Sequence, residues 1–229
     1  HTRYWRDWSS DVCSSDLKRG ITQSSTSRIS SRSISRTIVT LDPKFKEVVS
    51  LQGPSTVGME RSRKTNFQSL SHSILSQQLS TKAAATITSR VTDLAGGRLT
   101  PKSVVRLSES KLRGAGCSHA KSRALQELAE ASLDQRVPLK KLHMMSDGEI
   151  FDALLPLFGI GRWTVEMFLI FQLGRSDIWP VGDLGVRRGW ERIHKMKDDI
   201  TPELLTKRGE KFAPYRSHVA WFCWRALDL

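Results

Sequence analysis

Apolar side chains recur every three or four residues along most of the chain from Leu41 onward, which is the spacing of a helix with one buried face. The longest such run predicts a single helix over residues 66–94, closed by the Gly96-Gly97 pair. Residues 37–40 are the one short candidate for a strand. The pattern therefore predicts an all-α fold. The apolar face of the long helix is formed by Phe67, Leu70, Ile74, Leu75, Leu79, Ala83, Ile87 and Val91.

Local start signals predict further helices. Asp42-Pro43 opens the first helix, because proline is tolerated in the first turn, where its missing N–H has no helical partner to lose. Ser146 and Glu149 have the spacing of a capping box and start a helix that runs to Leu155. The remaining predicted helices cover residues 101–107, 108–112, 121–132, 162–173, 183–194, 202–212 and 214–227.

The first 37 residues differ in composition from the rest of the chain. They contain 11 Ser, seven Lys or Arg and three Asp, with almost no periodic apolar pattern, so we expect a disordered leader. Residues 1–17 resemble translated sequencing-adapter read-through, and they are excluded from the fold prediction. The predicted folded domain is residues 38–229, with a helical hairpin at residues 149–173.

The chain of 229 residues is strongly basic, with 36 Lys and Arg against 23 Asp and Glu and a formal net charge of +13. Leaving out residues 1–37 still leaves a net charge of about +9, so the basic character belongs to the folded part and favours a polyanionic partner. No apolar run approaches the roughly 20 residues of a membrane span, and we expect a soluble protein. The three scattered cysteines favour a reducing, intracellular setting over a disulfide framework.

The turn Phe158-Gly159-Ile160-Gly161 between two predicted helices is the first candidate for chemistry. Two glycines allow a sharp turn and a close approach of a partner to the backbone, and Ile160 can fill the gap between the helices. The N–H groups from Gly161 onward lie at a helix N-terminus and can bind a phosphate. The alternative is an ordinary turn between two helices that uses glycine for its geometry alone.

Several stretches, in order along the chain, resemble one protein family. Residues 155–168 are similar to the helix-hairpin-helix of DNA glycosylases. Gly159-Ile160-Gly161-Arg162-Trp163-Thr164, followed by Asp183-Leu184-Gly185-Val186-Arg187-Arg188-Gly189, resembles the alkylation-repair branch, the 3-methyladenine DNA glycosylase II family. Residues 74–84 and 214–221 extend the resemblance, which covers roughly residues 41–227. It implies two helical subdomains with the active-site cleft between them.

The resemblance implies a role for each matched side chain. Asp183 would be the catalytic carboxylate, which stabilises a cationic sugar and orients or deprotonates water. Its alternative role is to cap the helix that follows. Trp163 and Trp224 would line the pocket for the damaged base, with Met167 and Trp221 as weaker candidates, although any one of these side chains could instead be part of the core.

The same resemblance implies which residues contact DNA. Gln78 aligns best with the wedge that fills the space left by a flipped base, with Leu79 as the alternative, although Leu79 could equally belong to the core. Arg187, Arg188 and Lys82 are possible phosphate contacts, and solvated surface charge is the equal alternative for each. The implied DNA-binding residues are Gly159, Ile160, Gly161, Arg162, Thr164, Gln77, Gln78 and Leu79.

The implied function is hydrolytic removal of alkylated purines, 3-methyladenine and 7-methylguanine, from double-stranded DNA after base flipping, which leaves an abasic site. Relatives that also nick the strand carry a lysine two residues after the second hairpin glycine, where this chain has Trp163, so no lyase activity is expected. We expect an intracellular monomer without a cofactor. Some relatives bind a monovalent cation through hairpin carbonyls, so the resemblance allows a structural Na⁺ or K⁺ at the backbone carbonyls of Phe158 and Ile160. The rival functions are a non-catalytic DNA-binding repair protein and an oxidised-base or mismatch glycosylase with lyase activity.

Overall fold

The computed structural model describes residues 30–59 and 62–229, and over these residues the chain forms helices and no β-strand. Short 3₁₀ turns occur at Pro43–Phe45, Leu142–Met144 and Glu210–Phe212, and a π-helical segment at Phe168–Gln172. The all-α prediction is confirmed. The α-helices are α1 (Ser31–Leu41), α2 (Lys46–Gln52), α3 (Asn66–Ser76), α4 (Thr81–Leu94), α5 (Pro101–Val104), α6 (Glu109–Gly114), α7 (His119–Leu133), α8 (Asp147–Leu154), α9 (Arg162–Met167), α10 (Leu184–His194), α11 (Pro202–Gly209) and α12 (Arg216–Ala226).

Side-chain caps determine where most of these helices begin. A Ser, Thr or Asp oxygen accepts a hydrogen bond from a backbone N–H in the first turn, which would otherwise have no partner. The predicted capping box at Ser146 is present, since Glu149 N–H donates to Ser146 Oγ and Ser146 N–H donates to the Glu149 carboxylate. The capping residues are Ser30, Thr65, Ser80, Thr100, Ser108, Ser118, Ser146, Asp183 and Thr201.

Two predictions about element boundaries are wrong. The predicted boundary between the leader and the domain, at residues 37/38, lies inside α1, which buries Ile34 and Ile38. Residues 31–37, predicted to be disordered, are therefore helical, and so is the candidate strand at residues 37–40. Residues 1–29, including the adapter-like stretch, lie outside the described residues. The predicted helix over residues 66–94 is two helices, because α3 ends at Ser76 and Ser80 caps the start of α4.

The chain divides into two compact units. The terminal unit contains the described residues 30–59 together with residues 174–229, and the central unit contains residues 62–173. The division agrees with two helical subdomains, while the cleft expected between them stays a prediction. In the described ranges no helix is long and apolar enough to cross a membrane.

Each unit has its own apolar core. In the terminal unit the rings of Phe45, Trp190 and Phe212 meet edge to face, with centroids 5.6–6.1 Å apart. His194 stacks on Trp190, and its Nε2 lies 3.0 Å from a carboxylate oxygen of Asp42. Burial alone would raise the pKa of Asp42, but hydrogen bonds from His194 and Lys211 outweigh it and lower that pKa. In the central unit the fully buried residues include Leu70, Ile74, Leu125, Leu128, Val165 and Phe168.

Candidate functional site

The hairpin has the predicted geometry. Helix α8 leads into the turn, Gly159 adopts a left-handed backbone with φ +78°, and Gly161 caps α9 with φ −91° and no side-chain cap of its own. Both glycines are exposed, and so is the side chain of Arg162. The first N–H groups of α9 therefore face an open surface at a helix N-terminus, which is the arrangement that binds phosphate.

Not every residue predicted to contact DNA lies on that surface. Ile160 is 4 % exposed and fills the gap behind the turn as expected, so only its backbone could reach a ligand. Thr164 is also 4 % exposed, and the structure therefore does not place its side chain with Gly159, Gly161 and Arg162. Arg162 lies 3.2 Å from the buried Glu166 carboxylate, one helical turn farther along α9.

Helix α7 holds the hairpin from behind. The Phe158 N–H donates a 3.2 Å hydrogen bond to Glu127, and the guanidinium of Arg123 lies 4.0 Å from the centre of the Phe158 ring. A methyl group placed on Gly159 would lie 2.8 Å from the Cβ of Ala124, so this position has no room for a side chain. These three supporting residues on α7 were not predicted from the sequence, because α7 gives only the ordinary signal of an amphipathic helix.

Residues 77–80 form a loop that is connected to the hairpin. The side-chain amide of Gln77 donates a 2.8 Å hydrogen bond to the carbonyl of Gly159, and the ammonium of Lys121 donates to the carbonyl of Leu75 at the end of α3. Gln78 is exposed and has a left-handed backbone with φ +56°, which is uncommon for a residue with a side chain. Leu79 is half-buried. Of the two wedge candidates, Gln78 is therefore the exposed tip and Leu79 is half-buried, while Gln77 joins the loop to the hairpin.

Asp183 has two roles in the structure at once. One carboxylate oxygen accepts the N–H of Val186, so Asp183 caps α10, as its alternative interpretation predicts. The same oxygen accepts the indole N–H of Trp224 at 2.8 Å. The side chain stays partly exposed while Trp224 is 1 % exposed. The carboxylate is thus held in one orientation with access to solvent, which a catalytic carboxylate requires.

Two glycines on α10 allow this arrangement. A methyl group on Gly189 would lie 1.8 Å from the carbonyl oxygen of Cys223, so α10 and α12 are in backbone contact there. A methyl group on Gly185 would lie 2.8 Å from the Trp224 ring and 3.0 Å from the Asp183 carboxylate. The close approach of the two helices brings Trp224 to Asp183. Neither glycine was assigned a role from the sequence, although their spacing of four residues places them on one helix face.

Two other titratable groups, Cys223 near Asp183 and Arg188 on α10, have surroundings that disfavour a role in the proposed reaction. Burial and the nearby Asp183 charge both raise the pKa of the Cys223 thiol, so Cys223 stays neutral. The Arg188 guanidinium forms ion pairs with Glu191 and Asp199, and these compete with binding of a phosphate. In the part of the chain that the structure describes, no three His, Cys, Asp or Glu side chains are grouped so as to hold a metal ion.

The four predicted base-pocket residues are divided between the units. Trp163 is half-buried and Met167 is 1 % exposed in the central unit, whereas Trp221, at 6 % exposed, and Trp224 belong to the terminal unit with Asp183. Trp221 meets Phe222 edge to face and lies under the Arg225 guanidinium. Within the terminal unit, Trp224 contacts the carboxylate directly, and a common pocket for all four side chains stays a prediction.

Comparison with known proteins decides the family. The model of the HhH-GPD superfamily of base excision DNA repair proteins matches residues 71–214, a range that holds the 77–80 loop, the hairpin and Asp183. The chain belongs to this superfamily.

Individual HhH-GPD relatives extend the similarity over most of the chain. A DNA-3-methyladenine glycosylase of Schizosaccharomyces pombe is 33 % identical over 192 residues, which cover 82 % of this chain and 84 % of the relative. The solved structure of the 3-methyladenine DNA glycosylase of that yeast in complex with abasic DNA has a TM-score of 0.76 at 32 % identity, over 86 % of this chain and 97 % of that one. A DNA-3-methyladenine glycosidase of Bacillus halodurans has a TM-score of 0.77 at 34 % identity, over 84 % and 88 %.

Proposed function

We propose that this protein is a base excision repair glycosylase that flips alkylated purines out of double-stranded DNA and hydrolyses their glycosidic bond, which leaves an abasic site. The observation that carries the proposal is Asp183, whose carboxylate is held by the Trp224 indole and the Val186 N–H and is still partly exposed. Membership of the HhH-GPD superfamily, and relatives named 3-methyladenine glycosylases, support this choice of substrate.

The hairpin supplies the grip on DNA in this proposal. The N–H groups at the start of α9 donate to a backbone phosphate, and the helix dipole adds about 0.3–1 kcal/mol at such a terminus. Contacts of this kind hold the strand without reading its sequence. Gln78, at the exposed tip of the neighbouring loop, enters the base stack and occupies the space that the flipped nucleotide leaves. The hydrogen bond from Gln77 to Gly159 fixes that tip relative to the bound phosphate.

Asp183 carries the chemistry. Cleavage of the glycosidic bond develops positive charge on the sugar, and a fixed carboxylate stabilises that charge and directs a water molecule to the anomeric carbon. Because both N–H donors bind the same carboxylate oxygen, the orientation of the group is set before DNA arrives. A purine alkylated on a ring nitrogen is already cationic and leaves without a strong general acid. Its charge also favours stacking on the half-buried Trp163, by about 0.5–2 kcal/mol.

The proposed enzyme hydrolyses without nicking the strand. A lyase step needs an amine to form a Schiff base with the sugar, and the position two residues after Gly161 is Trp163. We expect no strand break before alkaline or thermal treatment of the product, and no covalent adduct in the presence of borohydride. A borohydride-trapped adduct would instead favour an oxidised-base or mismatch glycosylase with lyase activity.

The decisive experiment compares base release by the wild type and Asp183→Asn. Asparagine keeps the cap and the oxygen that accepts both hydrogen bonds, so the variant is expected to fold and bind DNA. With duplex DNA that contains 7-methylguanine or 3-methyladenine, the wild type should release free base and Asp183→Asn should release almost none. Asp198→Asn, at an exposed position on the same unit, is the control that removes one negative charge. Absence of release by the wild type, with DNA binding intact, would favour the non-catalytic DNA-binding protein.

We further expect a monomer that acts where the cell keeps its DNA and that needs no catalytic cofactor. A Na⁺ or K⁺ bound by the carbonyls of Phe158 and Ile160 would connect the hairpin backbone to a phosphate. DNA affinity measured in sodium, potassium and tetramethylammonium chloride at equal ionic strength tests this expectation. Equal affinity in all three salts would contradict it.

A further inference from the structure

A cavity in the central unit lies away from the hairpin and takes no part in the proposed reaction. Its volume is about 610 Å³, within the range of roughly 300–1,000 Å³ that is usual for small-molecule sites. The start of α3, the segment before α5, the end of α7 and the segment at residues 138–141 form its walls. All of its lining residues belong to the central unit.

The charge of the lining is uniform. Lys64, Arg98, Lys140 and Lys141 line the cavity, and no Asp or Glu is among the lining residues. Arg98, Lys140 and Lys141 are exposed, whereas Phe67 and Leu99 are buried at 3 % and 5 % exposure and give the cavity an apolar floor. Four cations around an apolar floor favour a ligand that is anionic at one end and apolar at the other.

The walls are joined by hydrogen bonds. The side-chain amide of Asn66 donates to the carbonyl of Leu139 at 2.7 Å. Gln172 donates to the carbonyl of Lys64 at 2.9 Å and to the side chain of Asn66 at 3.1 Å. Binding therefore needs little ordering of the backbone around the cavity, and this lowers the free-energy cost of binding.

The cavity and the hairpin lie at opposite ends of the same helices. Helix α3 begins at the cavity and ends at the 77–80 loop, and its eleven residues span about 16 Å. The segment from α9 through Gln172 runs the other way, from the hairpin at Gly161 to the Lys64 contact. A ligand in the cavity is thus distinct from the phosphate held at the hairpin.

We propose that this cavity binds a phosphate monoester with a flat apolar body, the chemistry of a nucleoside monophosphate. Three of the four cations are lysines, which bind phosphate as compact point charges, and the fourth is an arginine, whose planar guanidinium can donate two hydrogen bonds to a phosphate. The buried Phe67 and Leu99 floor takes the apolar body. The source of this chemistry is either a free nucleotide or the 5′-phosphorylated end of a nucleic-acid strand. The proposal does not depend on the glycosylase function.

The test is calorimetric titration of the full chain with dAMP, adenosine, inorganic phosphate and an acidic peptide. We expect dAMP to bind, and adenosine and inorganic phosphate each to bind at least about tenfold more weakly. A dinucleotide with a 5′-phosphate is compared with its 5′-hydroxyl form, and tighter binding of the phosphorylated form than of dAMP identifies a strand end as the source. No dAMP binding, equal affinity for inorganic phosphate, or tighter binding of the acidic peptide would overturn the proposal.

Variants locate the binding. Lys140→Glu with Lys141→Glu, both at exposed positions, should weaken dAMP binding at least tenfold, while Lys44→Glu with Lys46→Glu applies the same charge change to exposed positions of the terminal unit and should have no effect. Urea unfolding verifies that both double variants are folded. An equal loss in the control, or a loss in Trp163→Ala, would mean that the nucleotide binds elsewhere. Base release by the Lys140/Lys141 variant should match that of the control.

Discussion

Replacement of the two hairpin glycines by alanine should affect two different properties, DNA affinity at Gly161 and stability at Gly159. Gly161 has φ −91° and ψ 168°, which alanine adopts freely, and no heavy atom lies within 4 Å of the added methyl group. Gly159 has φ +78°, and its methyl group would lie 2.8 Å from Ala124. We therefore expect Gly161→Ala to change DNA binding with little effect on stability, and Gly159→Ala to destabilise the fold.

The magnitudes follow from these geometries. For Gly159→Ala the left-handed backbone costs about 1–2 kcal/mol and the contact with Ala124 about 1–3 kcal/mol, so the free energy of unfolding should fall by about 2–5 kcal/mol. For Gly161→Ala the stability change should stay within about 1 kcal/mol. If its methyl group displaces one charge-assisted hydrogen bond to phosphate, worth about 1.5–3 kcal/mol, DNA affinity should fall roughly 10- to 150-fold.

Urea unfolding and fluorescence polarisation with a duplex that contains an abasic-site analogue measure the two effects. Gly148→Ala, at an exposed position in α8 where the methyl group also meets nothing within 4 Å, is the matched control, which should leave DNA affinity unchanged and raise the free energy of unfolding by at most about 1 kcal/mol. DNA affinity of Gly161→Ala within twofold of the wild type would refute the phosphate grip. Wild-type stability of Gly159→Ala would refute the packing argument.

Four further outcomes follow from the structure. Trp224→Phe removes one hydrogen bond to Asp183, so the single-turnover rate should fall about 10- to 150-fold, and an unchanged rate would remove the indole from the mechanism. Gly189→Ala, whose methyl group would lie 1.8 Å from the Cys223 carbonyl, should unfold in less urea than Gly182→Ala, where nothing lies within 4 Å. Burial lowers the pKa of His218 to about 4, so protons bind preferentially to the unfolded chain, and stability should fall by up to ~3 kcal/mol as pH drops from about 6.5 to 4. His218→Gln should flatten that slope in urea titrations, and a slope equal to that of the wild type would exclude His218 as its cause. DNA affinity should fall steeply with salt, and a flat dependence would contradict binding through several phosphates.

Helix α8 was predictable because apolar spacing and the capping box at Ser146 agree there. The break at Gln77–Ser80 was missed because Leu79 continues the apolar spacing of α3 into α4, although Ser80 is a good cap. The α1 helix was missed because only two of its apolar residues, Ile34 and Ile38, lie on the buried face, in a serine-rich stretch. Apolar periodicity therefore misses a helix break that an apolar residue bridges, and it also misses a helix whose buried face holds few apolar residues.

The candidate site was predictable as a set of residues but not as a set of contacts. Asp183 was identified by resemblance, yet its hydrogen bond to Trp224 joins positions 41 residues apart and depends on two glycines that allow α10 and α12 to touch. The support of the hairpin by Glu127 and Ala124 likewise comes from a distant helix. Such contacts arise from tertiary packing, which no local pattern encodes.

The division of the chain into units has a consequence for its biosynthesis. The central unit is one continuous stretch, so all of its partners emerge from the ribosome together and it can fold while translation continues. The terminal unit joins residues 30–59 to residues 174–229, and its first part must wait, without its partners, until more than a hundred later residues have been made. Trp224 follows Asp183 by another 41 positions. During synthesis the hairpin is therefore complete well before the Asp183 carboxylate has the indole that orients it, so under the proposed function the DNA-binding surface forms before the hydrolytic site.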